Sequence, residues 1–184
     1  MAILSSSGMT IQDKFYEAVF SGNFAEAETL LGQGARIDEN EILHSAAQGG
    51  RTQILEFLFR FRGREFINQF DDLSLTPLAY AARERQLETV KLLLREGADV
   101  NAAHTSHAGN TALREATEAG HLEVVRALLE AGADPHIPGW MHITAMHKAK
   151  ERGGEMLALF TSHVSKAEKI LSLAKQRRNK KGRS

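Results

Sequence analysis

Leu30-Leu31-Gly32-Gln33-Gly34-Ala35 is echoed twice along the chain, as Leu93-Leu94-Arg95-Glu96-Gly97-Ala98 and as Leu128-Leu129-Glu130-Ala131-Gly132-Ala133. A phrase that returns at an interval of about 33 residues is the mark of stacked, near-identical units. A second set of positions recurs with it. An apolar residue, an Ala three residues on and a Gly four residues after that appear as Phe15/Ala18/Gly22, Leu43/Ala46/Gly50, Leu113/Ala116/Gly120 and Met146/Ala149/Gly153. Leu78/Ala81/Arg85 is a fifth set, with Arg85 breaking the Gly column.

The spacing has a mechanical meaning. Residues at i and i+3 share one helix face, and a small Ala there lets a neighbouring helix approach. The Gly falls where a short helix must end and reverse. A second apolar run at helical spacing follows, Leu87/Val90/Leu93/Leu94 in one copy and Leu122/Val125/Leu128/Leu129 in the next. Each unit therefore reads as helix, turn, helix and extended loop.

Thr76-Pro77-Leu78-Ala79-Tyr80-Ala81-Ala82 resembles the T-P-L-H-x-A signature of ankyrin repeats. Gly120-His121-Leu122-Glu123-Val124-Val125 and Gly97-Ala98-Asp99-Val100-Asn101 resemble that family's other fixed stretches, and Thr111-Ala112-Leu113-Arg114 and Thr144-Ala145-Met146-His147 are degraded copies of the signature. The resemblance spans about residues 10–163. It implies an all-α ankyrin-repeat solenoid of five units, at 10–38, 39–68, 69–102, 103–137 and 138–163. The first unit lacks the Thr-Pro entry and opens on a helix cap, Thr10-Ile11-Gln12-Asp13. The second carries three extra residues near Phe57–Phe66, which predicts a longer second helix or a bulged loop. Ser165-Lys166-Ala167-Glu168 reads as a capping box that starts a final, covering helix at 165–178, with Ala167, Ile170, Leu171 and Ala174 on one face. Residues 1–9 and the basic 179–184 are expected to be disordered.

Composition narrows the function. The 184 residues hold no cysteine, which excludes a disulfide framework and thiolate metal sites. No stretch approaches the roughly 18 apolar residues of a membrane span. The start has no basic, apolar leader, so a cytoplasmic protein is expected. Formal net charge is zero, but it is segregated. Residues 1–165 carry 15 Lys and Arg against 22 Asp and Glu, and the last 19 carry eight basic groups and one Glu.

Catalytic motifs of the zinc-protease, nucleophile-elbow, P-loop and dinucleotide types are missing, so no enzyme and no cofactor are expected. His104, His107, His136 and His142 lie in successive loops, but no carboxylate stands at ligand spacing, and surface histidines are the better reading than a metal site. His44 and His147 stand at the family's structural His position, and His121 matches its Gly-His helix start. Arg60-Phe61-Arg62-Gly63-Arg64 and the basic tail carry the residue types of nucleic-acid binding. An acidic body would repel phosphate, and Phe57, Leu58 and Phe61 are at core-facing spacing.

The resemblance places the binding face on the loop tips and on the exposed end of each first helix. Those positions are Phe70, Asp71, Asp72 and Leu73, then His107, then Trp140 and Met141 at the tips, with Arg83, Glu84, Glu118, Glu151 and Arg152 on the helices. Trp140 has two readings: an exposed interface anchor, or a ring folded over the fifth unit. The expected function is binding, and thereby occluding or inhibiting, a protein partner. A basic toxin held by an immunity protein suits the acidic body. The alternatives are a scaffold or adaptor subunit and a nucleic-acid-associated protein that uses its basic tail.

Overall fold

A computed structural model describes residues 8–37, 41–61, 63–104 and 110–181; side chains at 41, 140, 167, 168 and 170–181 fall outside the description. Among the described residues ten α-helices follow in pairs: α1 (Ile11–Ser21) with α2 (Phe24–Gly32), α3 (Glu41–Gln48) with α4 (Thr52–Arg60), α5 (Pro77–Arg83) with α6 (Leu87–Arg95), α7 (Ala112–Ala119) with α8 (Leu122–Glu130), and α9 (Ala145–Arg152) with α10 (Gly154–Lys181). The first helices stack as α3 on α5 on α7 on α9, and the second helices as α6 on α8 on α10. Each pair is one of the five expected units.

Local chemistry sets the helix ends. Thr10, Thr76, Thr111 and Thr144 are N-caps whose hydroxyls accept the third helical N–H, and Pro77 takes the first helical position of α5. At Thr10 the box is reciprocal, with the Asp13 carboxylate accepting the Thr10 N–H at 2.9 Å. The recurrent Gly positions all have positive φ: Gly22, Gly50, Gly120 and Gly153 lie between 65° and 84°, Gly22 and Gly120 as left-handed caps and Gly153 with an extended ψ of −157°. Arg85 also has positive φ, at 60°, without glycine's freedom.

The repeated apolar residues form one continuous core. Phe15, Leu43, Leu78, Leu113 and Met146 are buried, as are Ala18, Ala46, Ala81, Ala116 and Ala149. Each Leu so buried contributes roughly 1.5–3 kcal/mol. The small Ala lets successive first helices close up. Side chains then lash the units together. Gln86 Nε2 reaches the Gln48 carbonyl at 3.3 Å, His121 Nε2 the Arg83 carbonyl at 2.9 Å, and Arg152 Nη2 the Glu118 carbonyl at 2.5 Å. On the loop side Asn68 and Asn101 accept the N–H groups of Asp99 and Asp134 at 2.7 and 2.8 Å.

Two expectations change, and the alternative of a longer helix or a bulged loop in unit two is decided for the loop. The extra residues of unit two do not lengthen α4, which has nine residues like α6 and α8. They form a 3-10 turn, Gly63–Phe66, pinned where Arg64 meets the Phe59 carbonyl at 2.9 Å and Glu96 of the next unit at 2.5 Å. Phe61 does not face the core. It lies past the last turn of α4, where helical spacing no longer applies, and its ring is exposed against Phe57 at 5.1 Å. No helix begins at Ser165. α10 runs unbroken from Gly154 to Lys181, about 42 Å of helix. No Gly or Pro interrupts residues 155–181, and a Ser inside a helix is a weak propensity cost rather than a stop. The expected tail from residue 179 is helical as far as Lys181, and residues 1–7 and 182–184 lie outside the description.

Candidate functional site

The loop tips of units three and five are tight turns closed by the same two backbone hydrogen bonds, although Met141 holds φ 57° and Leu73 does not have positive φ. In unit three the Asp71 N–H meets the Leu75 carbonyl at 3.0 Å, and the Ser74 N–H meets the Asp71 carbonyl at 2.9 Å. In unit five the Gly139 N–H meets the Ile143 carbonyl at 3.1 Å, and the His142 N–H meets the Gly139 carbonyl at 3.0 Å. Ser74 and His142 both have φ 58°. This register makes Leu73 and Met141 equivalent. Each stands at the apex of its turn, 67% and 65% exposed, against a background of buried apolar side chains. Two units separate them, so they lie about 16–20 Å apart along one edge. The intervening tip, with His107, falls outside the described residues, as does the Trp140 side chain; the Trp140 backbone shares the turn with Met141.

Asp71 is not a free charge. One carboxylate oxygen accepts the N–H groups of Leu73 and Leu75 at 3.0 and 2.9 Å, and the other accepts the Tyr80 hydroxyl at 2.5 Å. Asp71 is therefore the brace that shapes the tip and presents Leu73. Burial pushes the Tyr80 phenol up to about 12, with the bond to Asp71 and its negative charge adding to the effect. The Arg83 guanidinium lies 4.6 Å over the same ring and reaches Glu84 at 3.3 Å. His44 Nε2 sits 3.1 and 3.2 Å from the Gln69 and Leu75 carbonyls, fixing the loop from below, as expected for the family's His position. His147 instead caps its own helix, with Nδ1 3.2 Å from the Thr144 nitrogen.

Unit five cannot copy the Asp71 brace. A side chain at Gly139 would run into Asn110 and Arg114, the nearest atoms standing 2.8 and 3.1 Å from where its Cβ would sit. Arg114, in the signature's His position, is buried and shares the interior with Glu115 at 4.0 Å. Its Nη2 meets Glu118 at 3.4 Å, while Nε and Nη1 have no hydrogen-bond partner among the described residues. Glu118 and Glu151 are joined through Lys148 at 3.5 and 3.2 Å. Arg152 is committed to the Glu118 carbonyl.

The structure thus divides the candidate residues. Leu73, Asp72 and Met141 are exposed at the tips, and Phe70 is half-buried edge-on to His104 at 5.1 Å. Arg83, Glu84, Glu118, Glu151 and Arg152 make contacts within the stack, and of these Glu84, Glu118, Glu151 and Arg152 remain exposed. Tyr80, Arg114 and Lys148 carry these arrangements and were missed. Tyr80 alone had a signal in the sequence, as the variable position inside the signature. Among the described residues no three His, Asp or Glu side chains converge as a metal site, and no helix is long and apolar enough to cross a membrane.

Comparison with known proteins agrees with this architecture. A family model described as ankyrin repeats in three copies matches residues 15–104, and a single ankyrin-repeat model matches residues 108–140. The chain is similar to the NF-kappa-B p105 subunit of Gallus gallus, 30% identical over 154 residues, covering 80% of this chain and 16% of that protein. It is similar to the E3 ubiquitin-protein ligase hecd-1 of Caenorhabditis elegans, 28% identical over 138 residues, or 75% of this chain and 5% of the ligase. It also resembles the human transient receptor potential cation channel subfamily A member 1, 34% identical over 88 residues, or 48% of this chain and 8% of the channel. The chain spans less than a fifth of the length of each of these relatives. The repeated Leu/Ala/Gly register, the stacked helix pairs and the two family models converge: this chain belongs to the ankyrin repeat family, whose repeats are protein–protein interaction modules.

Proposed function

We propose that the chain binds a protein partner along its tip edge, with Leu73 and Met141 as the apolar anchors. The observation that carries this reading is their equivalence. The two most exposed large apolar side chains among the described residues, 67% and 65% against 40% or less for the others, stand at the same apex position of two turns. Exposed apolar groups held on stiff turns lose little entropy on binding. Asp72, exposed beside Leu73, adds a negative charge at the rim. The finer form of the reading is occlusion, in which the edge covers the partner's working surface as an immunity protein covers a toxin. The excess of acidic groups over residues 1–165 favours a basic target. A second reading, an adaptor module, draws on the relatives above, in each of which the similar segment is a small part of a much longer protein.

Capture of partners from the native source, followed by mass spectrometry, tests the reading. Leu73→Asp with Met141→Asp should abolish recovery of the partner while the helical spectrum and melting temperature stay unchanged. A partner that survives this change, but is lost on charge reversal of Lys91 or Arg126 on the second helices, moves the interface to the other face. An adaptor is distinguished from an occluding binder by recovery of two partners at once.

A further inference from the structure

The joint between units one and two is built differently from those that follow. Gln86, His121 and Arg152 each hold a carbonyl of the preceding unit. Arg51 stands in the position of Gln86 and His121, one residue past the turn glycine. Its guanidinium holds no carbonyl among the described residues and lies instead 5.0 Å over the Phe20 ring. Where a Cβ at Gly50 or Gly120 would collide with Gln86 or Arg152 of the next unit, nothing stands within 4 Å of the same place at Gly22. An open cleft of about 370 Å³ remains there, at the low end of the range for small-ligand sites, about 300–1,000 Å³. Val19, Phe20, Phe24 and Ile54 supply its apolar lining, and Arg51 is the one charged group among the lining residues. Phe24 is held firm by stacking on Phe57 at 4.9 Å.

We propose that this cleft is a second binding site, which takes from a protein partner an apolar side chain with a carboxylate beside it. The apolar group would fill the space between Phe20, Phe24 and Ile54. The carboxylate would meet Arg51, an exposed guanidinium with no ion pair among the described residues and already positioned by Phe20. The site is on the helix-turn edge, away from the loop tips, so it does not depend on the tip reading.

The test uses the full, isotope-labelled chain and two probes, N-acetyl-phenylalanine and its uncharged amide, followed by amide NMR. The acid should shift the Ser21, Gly22, Thr52 and Gln53 signals saturably and bind about three- to tenfold more tightly than the amide. Arg51→Gln should erase that preference while Arg126→Gln leaves it intact, with the fold of both variants checked by melting temperature. Equal binding of acid and amide, a preference that survives Arg51→Gln, or saturable shifts confined to other units would each overturn the proposal. Loss of partner capture in the tip variants would leave this result untouched.

Discussion

Tyr80 and Arg85 show what one residue can do inside a repeat. The Tyr80 hydroxyl gives Asp71 a hydrogen bond that the tip turn depends on, so Tyr80→Phe should cost about 1 kcal/mol at neutral pH. The pH dependence has a definite sign. The folded chain keeps the Tyr80 proton to about 12, above the ordinary value of 10. The stability from this pair is thus complete below about pH 10 and disappears as pH climbs through about 12. Tyrosinate absorbance should show one of the two tyrosines ionising late, and Tyr80→Phe should remove that late step; a single transition near pH 10 would refute it. Arg85 carries the opposite expectation. It holds φ 60° where the other four units use glycine, a conformation that costs an L-residue about 1–2 kcal/mol. Arg85→Gly should therefore raise stability by about 1 kcal/mol, read as a higher denaturant midpoint with an unchanged slope.

At the scale of elements, α10 departs most from its siblings. Its early part is an ordinary second helix: Met156 and Phe160 are buried, and Leu159 and Val164 pack against the core. The helix then continues without a break where a capping box had predicted a fresh start. Lys166→Pro separates the two descriptions. At the first position of a new helix Pro is well tolerated. Inside a continuous helix it removes a backbone bond and clashes one turn back, at about 3 kcal/mol or more. A clear loss of helical signal and of melting temperature is expected, and a silent substitution would restore the break at Ser165. A local pattern that can start a helix does not do so when the preceding residues are already helical, because extending a helix is easier than nucleating one.

The whole molecule is a stack whose joints are unequal. The α3–α5, α5–α7 and α7–α9 contacts are extensive, as is that of α1 with its own partner α2. Among the described residues the first joint lacks the side-chain-to-carbonyl tether of the others. In a stack, each unit is stabilised by its own fold and by its immediate neighbours. Native-state hydrogen exchange should show α1 and α2 opening at least about tenfold more readily than α5 and α7, a difference of about 1.4 kcal/mol. Uniform protection across the five units would mean that the first joint is as tight as the rest. Leu113→Ala, at the centre, should cost roughly 2–5 kcal/mol and loosen the stack on both sides.

The repeat register was legible in the chain because burial and backbone shape act on single positions. A buried Leu, a small Ala at the helix contact and a left-handed turn residue leave their trace wherever the unit recurs, and Thr caps mark the helix starts. Those signals determined the number of units, the order of helices and the edge on which the tips lie. They did not show which polar residues were free. Asp71 reads as an exposed acid until Tyr80 and the Leu73 and Leu75 N–H groups surround it. Glu118 and Glu151 read as separate exposed charges until Lys148, on the helix of Glu151, ties the two together. Gly139 reads as a turn glycine, although what crowds out a side chain there is Asn110, with Arg114 behind it, both from the preceding unit. The open first joint is likewise invisible until Arg51 is seen lying on Phe20. A charge is spent or available according to what faces it, whether a residue folded back within its own unit, as Tyr80 is for Asp71, or one across a unit boundary, as Lys148 is for Glu118, and only the tertiary structure decided which.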